Sequence, residues 1–264
     1  MKDKRKLTSM IGAALLGLIV GAFRHNLAPS ASIYVYFGAA IAYCLSNGIY
    51  LGTAPAPETS PRSDLFKTAV VLAAILTLGG AGLKAITALG NILGMCAVGL
   101  LALSAFGMIL SLKETDSDLP HVMVSLPIFG CGAYLLDTYK LHVAAASNIA
   151  VYAAEILAVL FLTAALYSVA AMRFTDRRRS PFISTTILGA VMMTSAVLVS
   201  VLMGGSVFAM SDLLICLGLA AYCGAWYLNP PIKYVIPEEE YEEDMEEEED
   251  EEEVIVPDIE SDEE

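Results

Sequence analysis

Eight apolar stretches, each near the roughly 20 residues a helix needs to cross the hydrocarbon core of a bilayer, leave this chain few ways to fold. They run approximately from Thr8 to Phe23, Ser32 to Gly52, Phe66 to Leu83, Asn91 to Leu112, Leu119 to Leu136, Asn148 to Met172, Ile183 to Met203, and Val207 to Leu228. The first, third and fifth are short enough for one of them to be re-entrant. Composition agrees: 56% of the 264 residues are hydrophobic and 17% are charged, against about 25% charged in soluble domains. The expected fold class is all-α: a polytopic integral membrane bundle of about eight transmembrane helices over residues 1–229, followed by an acidic tail over residues 230–264.

The charges between the stretches set the threading, because cytoplasmic loops collect Lys and Arg. Lys2, Lys4, Arg5 and Lys6 precede the first stretch, Arg62 and Lys67 flank the second connection, and Lys113 lies in the fourth. Arg173, Arg177, Arg178 and Arg179 lie between the sixth and seventh stretches, and Lys233 follows the eighth. Arg24, Lys84 and Lys140 fall at the opposite ends. This alternation predicts four helical hairpins closing on the outer side of the cell (cytoplasmic) membrane, with both termini cytoplasmic. The basic start followed by an apolar run also resembles a signal peptide, but "FRHNLAPS" offers no small-x-small cleavage site, so an uncleaved first helix is expected.

Ser32, Asn91, Asn148 and Asp212 each stand before an apolar pair at the start of an even-numbered stretch, the position where such side chains cap free N–H groups. The pattern reads either as a fourfold hairpin duplication or simply as capping repeated wherever a helix enters the bilayer. Gly17 and Gly21 form a GxxxG pair, and "LGGAGL" clusters Gly79, Gly80 and Gly82; small residues of this kind let helices approach closely. The five cysteines all lie in apolar stretches without CxxC or ligand spacing, and read as small buried hydrophobes rather than a disulfide framework or a zinc site.

An ionisable residue inside a membrane helix is costly, and by default it marks function. Glu155, in "VYAAEILAVLFL", is expected about 10 Å deep at 1.5 Å per residue, where it forms a candidate intramembrane proton or cation site or is held by a neighbour and serves packing. Arg24, His25, Lys84, Asp137, Lys140, Asp212, Tyr34 and Tyr152, with Tyr36 and His142, gather at the outer ends of the helices. They frame either an outer polar vestibule for a small charged solute or the ordinary interfacial belt of Tyr, Lys and Arg; Asp212 alternatively only caps the eighth helix. Pro127 in "SLPIFGCGAY" is expected to kink the fifth helix, and Asn47 to hydrogen-bond to another helix.

No serine elbow, HExxH, phosphate-binding glycine loop or carboxylate pair of a hydrolase is present. His25, His121 and His142 are scattered, so no metal site and no cofactor are expected, nor is an enzyme. The "RRR" at 177–179 suits phospholipid rather than nucleic acid.

The acidic balance of the whole chain, a formal net charge of −14, comes from one appendage. "EEEYEEDMEEEEDEEE" and the residues after it hold 19 of the 29 acids, leaving a mildly basic body. Such a run repels itself into an extended, disordered segment. Val254, Ile255 and Val256 form an apolar island inside it, a candidate β-strand for docking on a cytoplasmic protein, unless the tail serves only solubility. The expected function is a small-solute permease or permease component using Glu155. The alternative is a non-enzymatic membrane sensor or scaffold whose tail recruits a partner.

Overall fold

The computed structural model describes residues 2–24, 29–52, 64–112, 122–145, 153–174, 181–204 and 208–229. Among these residues there are eight α-helices and no strand: α1 (Lys2–Arg24), α2 (Pro29–Gly52), α3 (Asp64–Thr87), α4 (Ile92–Leu110), α5 (Leu126–Ala145), α6 (Ala153–Phe174), α7 (Pro181–Leu202) and α8 (Met210–Leu228). Six of them, α1, α3, α4, α6, α7 and α8, are long and apolar enough to cross a membrane. The helices belong to one compact unit, residues 1–233. Residues 234–264 are a second unit, which lies outside the described residues together with the proposed docking island at Val254, Ile255 and Val256.

Five helices form a closed ring. α3 packs on α4, α4 on α5, α5 on α6, α6 on α8, and α8 back on α3. α7 lies outside this ring, packed on α6 and α8, and carries α1 and α2 on its far side. α8, shared by the ring and α7, is the most buried of the six, with 78% of its apolar window covered; α7, packed on both sides, follows at 61%, and α1 is the least buried at 22%. On the exposed side of α1, Leu7, Ile11, Leu15, Ile19 and Phe23 recur every fourth residue and form one apolar stripe, the face that lipid would cover.

Glycine decides how closely the helices meet. A Cβ on Gly17 would collide with the Met192 carbonyl, and one on Gly21 would come 2.7 Å from the Ala196 carbonyl, so the GxxxG pair seats α1 on α7. In "LGGAGL" only Gly80 has this role: its Cβ would lie 2.7 Å from the Ser211 carbonyl of α8, while Gly79 and Gly82 face open space. Gly218 repeats the approach from the other side, 2.7 Å from the Ala73 carbonyl. Between α3 and α4 the chain reverses over Ala88–Asn91, where Gly90 takes φ 91°, a left-handed conformation that a side chain would disfavour.

The fifth helix differs from its sequence reading. It starts at Leu126 rather than Leu119 and runs to Ala145, so Asp137 and Lys140 stand within it and not after it. Pro127 is its second residue and produces no mid-helix kink. In the first turn a proline N–H would have no intrahelical acceptor, so its loss costs little. The capping pattern also changes. Ser32 lies inside α2, which begins at Pro29; Asn91 occupies the N-cap position of α4 without a side-chain cap bond; Asn148 is outside the described residues. Asn47 does make an interhelical bond, accepting from Ser9 Oγ of α1 at 3.3 Å. All five cysteines are free, and Cys96 is exposed where the other four are buried.

Candidate functional site: a buried ionic cluster

The centre of the ring is polar at the end where α3 finishes and α4, α6 and α8 begin. Lys84 comes from the last turn of α3, Asp212 from the first turn of α8, and Asp137 from the middle of α5. Lys84 Nζ lies 2.8 Å from Asp212 Oδ1 and 3.6 Å from Asp137 Oδ2. The three residues retain 7%, 8% and 1% of their surface, so the ion pairs are shielded rather than spread over an open mouth.

Local structure explains how the groups meet. Gly80 stands one helical turn before Lys84, and the close approach of α3 to α8 that it permits brings the ammonium to Asp212, 128 positions further along the chain. Gly94 does the same for α4: a Cβ there would sit 3.2 Å from Asp137 Oδ1. Asn91, one turn before Gly94, turns its amide away from its own helix and donates from Nδ2 to Asp137 Oδ1 at 2.9 Å. The side chain read as a helix cap is therefore a ligand of the aspartate.

Tyr134 completes the cluster. It lies three residues before Asp137 on the same face of α5, is fully buried, and donates its hydroxyl to Asp212 Oδ1 at 2.8 Å. Its ring also faces Lys84, with Nζ 4.9 Å from the centroid, a cation–π distance. α5 packs on α4 and α6, and Tyr134 carries it across the ring to α8. Asp212 also caps its own helix: Oδ2 accepts from the Ala209 N–H at 3.0 Å. Ala209 has no acceptor to offer in return, so only this half of a capping box exists. The capping reading and the site reading of Asp212 both hold, one on each oxygen.

Glu155 is fully buried in the first turn of α6. It shares with Lys84, Asp212 and Cys131 the electrostatic surroundings of Cys216, one turn below Asp212 on α8. Among the other residues expected in a vestibule, Tyr34 is 78% exposed on α2 and Lys140 is exposed on α5. His25 and Tyr152 lie outside the described residues, and of Arg24, Tyr36 and His142 only the backbone is described. Among the described residues no group of three His, Cys, Asp or Glu side chains is placed to hold a metal ion.

Hydroxyl and thiol groups continue along the ring interior. Thr163 Oγ1 of α6 donates to Cys131 Sγ of α5 at 3.3 Å. Near the far end Tyr222 of α8 donates across the ring to Ser111 Oγ, just beyond α4, at 3.4 Å. There the interior closes with large apolar groups, Phe66 meeting Trp226 edge-on at 4.9 Å between centroids.

Chemically, the cluster holds one ammonium against two carboxylates in a shielded site. With all three ionised it has a net charge of −1, which a low-dielectric interior disfavours. One proton or one monovalent cation restores neutrality. Comparison with protein-family models, with curated proteins and with solved structures found no match, so the functional reading rests on this geometry.

Proposed function

We propose that this chain is a permease, or the membrane component of one, that moves a small polar solute through the ring of α3, α4, α5, α6 and α8 and couples that movement to proton or cation binding at the Lys84–Asp137–Asp212 cluster. The observation that carries the reading is the charge count among the described residues of the cluster: one buried cation between two buried anions, 2.8 and 3.6 Å away. A cluster kept only for structure needs no surplus carboxylate, whereas an exchange site needs one. The hydroxyls of Thr163, Tyr222 and Ser111 further along the same interior support a polar route, and buried Glu155 is the next carboxylate beside it.

In this reading α2 and α5 span the membrane with the other six, since both are long enough, 24 and 20 residues, and both belong to the same bundle. The alternating basic connections support an orientation with the ionic cluster toward the outer face and both termini cytoplasmic. The test is a solute-jump recording on proteoliposomes adsorbed to a solid-supported membrane. A panel of amines, amino acids, organic acids and monovalent cations is applied to wild type and to Asp137→Asn. At least one class gives a wild-type current that the variant lacks; a panel that gives no current above protein-free liposomes refutes the proposal.

A further inference from the structure

At the end of the bundle opposite the Lys84 cluster, α1, α3, α7 and α8 border an open groove of about 370 Å³, a volume in the range of ligand pockets. α7 and α8 form its floor, and Met10 of α1 and Leu65, Phe66 and Ala69 of α3 form its walls. The groove exists because of where the walls are seated. Gly17 and Gly21 press α1 onto α7, and Gly80 and Gly218 press α3 onto α8, all near or beyond the deep end of the groove at Ser195 and Leu217. Toward the other end α8 presents the small side chains of Ala220, Ala221 and Ala225 and the bare Gly224, which leave the space between α1 and α3 unfilled.

The lining offers a polar ligand little. Ser195 Oγ donates to the Val191 carbonyl at 2.9 Å, Asn229 Nδ2 donates to the Ala225 carbonyl at 3.3 Å, and the Thr194 hydroxyl oxygen is buried within the floor. Water finds few partners on such a surface, and an empty groove would leave its walls without dispersion contacts. From Leu217 to Leu228 the groove follows α8 for about 17 Å at 1.5 Å per residue, close to the roughly 15 Å that one leaflet contributes to the hydrocarbon core. Its mouth is basic. Lys6 stands one turn before Met10, with Nζ 3.0 Å from the Tyr227 carbonyl and 4.9 Å from the centre of the Tyr227 ring, so its ammonium sits where α8 ends. Lys4 and Arg5 are exposed beside it, while Asp64 and Lys67, both exposed at the start of α3, offset each other.

We propose that this groove is a lipid site that holds one acyl chain of an anionic phospholipid, with the headgroup drawn to Lys4, Arg5 and Lys6. The chain fills the gap between α1 and α3 over the depth of one leaflet. The headgroup then lies at the level of the basic first turns of α1, where each Lys or Arg adds about fivefold to the binding of an anionic lipid surface. A second copy of the protein would cover the apolar floor but would not answer the three cations at the mouth.

The chain has a single tryptophan, Trp226, which is buried and meets Phe66 of the groove wall edge-on at 4.9 Å. Bromine on an acyl chain quenches indole fluorescence only at short range, so Trp226 reports a chain in the groove. The full-length protein in detergent is titrated with phosphatidylglycerol or phosphatidylcholine, each carrying brominated chains. The expected result is saturable quenching by the phosphatidylglycerol at a mole fraction about tenfold or more below that needed for the phosphatidylcholine, reversed by unbrominated phosphatidylglycerol. Lys4→Gln with Arg5→Gln should cut that preference to below about threefold. Ala221 is exposed and lines the groove, so Ala221→Phe fills the groove rather than the core and should abolish the saturable quenching while eluting like wild type. The lipid preference and its reversal need no variant. Equal quenching by the two lipids, absence of saturable quenching, or phosphatidylglycerol quenching unchanged in Ala221→Phe overturns the proposal. A dimer that keeps both lipids from Trp226 assigns the groove to a second copy and overturns it as well.

Discussion

Replacing Asp212 by Asn removes the closest counter-ion of a buried ammonium while keeping the side-chain shape and an oxygen for Tyr134. Removing one partner of a buried ion pair typically costs about 3–5 kcal/mol, because the other charge remains buried. Here the loss is reduced, because Asp137 Oδ2 stands only 3.6 Å from Lys84 Nζ and a shift of under about 1 Å makes a normal hydrogen bond. Asp212→Asn is therefore expected to lose about 2 kcal/mol, the bottom of the usual range for breaking such a pair being eased by this substitute. Asp137→Asn leaves Lys84 its closer partner, Asp212 at 2.8 Å, and is expected to lose less than about 1 kcal/mol, as isosteric changes without an orphaned charge do. The double variant leaves Lys84 with neither aspartate and takes the full loss, about 4 kcal/mol or more, well beyond the sum of the singles. Such non-additivity is the signature of groups in one network. The assay is thermal inactivation in detergent, read as surviving monodisperse protein after heating, with the three variants ranked against wild type. Equal loss in both single variants, or a double variant equal to their sum, would refute the division of roles between the two aspartates.

Other consequences can be checked separately. Gly80→Ala places a Cβ 2.7 Å from the Ser211 carbonyl; it should cost about 1–3 kcal/mol as an overpacked contact and weaken the Lys84–Asp212 pair, while Gly79→Ala, facing open space, leaves stability unchanged in the same thermal assay. Gly17→Leu should detach α1 from α7 and lower the yield of folded protein, measured by size-exclusion of membrane extracts, whereas Leu15→Ala on the exposed stripe does not. For the threading, single cysteines placed in the connections near Arg62 and Arg178 should react with a membrane-impermeant maleimide only in inside-out vesicles; labelling from the opposite face would reverse the orientation. The proposed docking role of the tail predicts a protein captured from membrane extracts by the full chain and not by a chain lacking residues 238–264; equal capture would remove it.

Much of the fold was legible because a bilayer asks for long apolar helices, and all eight appear as helices. Where the boundaries moved, in α5, the reading had followed hydropathy. Asp137 and Lys140 lowered the apolar signal and pushed the expected end too early, while a proline in the first turn passed for an interior one. Lys84, Asp137 and Asp212 were legible as ionisable residues near one end of the helices. They were grouped as a vestibule or a belt, but their direct pairing was not legible, since it depends on Gly80 and Gly94 setting helix distances between residues 128 positions apart for Lys84 and Asp212 and 46 for Asn91 and Asp137. Tyr134 was missed although it stands three residues before Asp137 on the same helical face, a spacing that marks a neighbour. Asn91 was missed because an Asn before an apolar run looks like a cap, and only the neighbouring aspartate draws its amide elsewhere.

The central claim is that the cluster holds one exchangeable charge. A pH-jump recording on proteoliposomes adsorbed to a solid-supported membrane measures this with the proton alone as probe, before any solute is known. The account predicts a transient charge movement in wild type that persists in Glu155→Gln and is lost in Asp137→Asn. A wild-type signal no larger than that of protein-free liposomes, or one unchanged in Asp137→Asn, would contradict it.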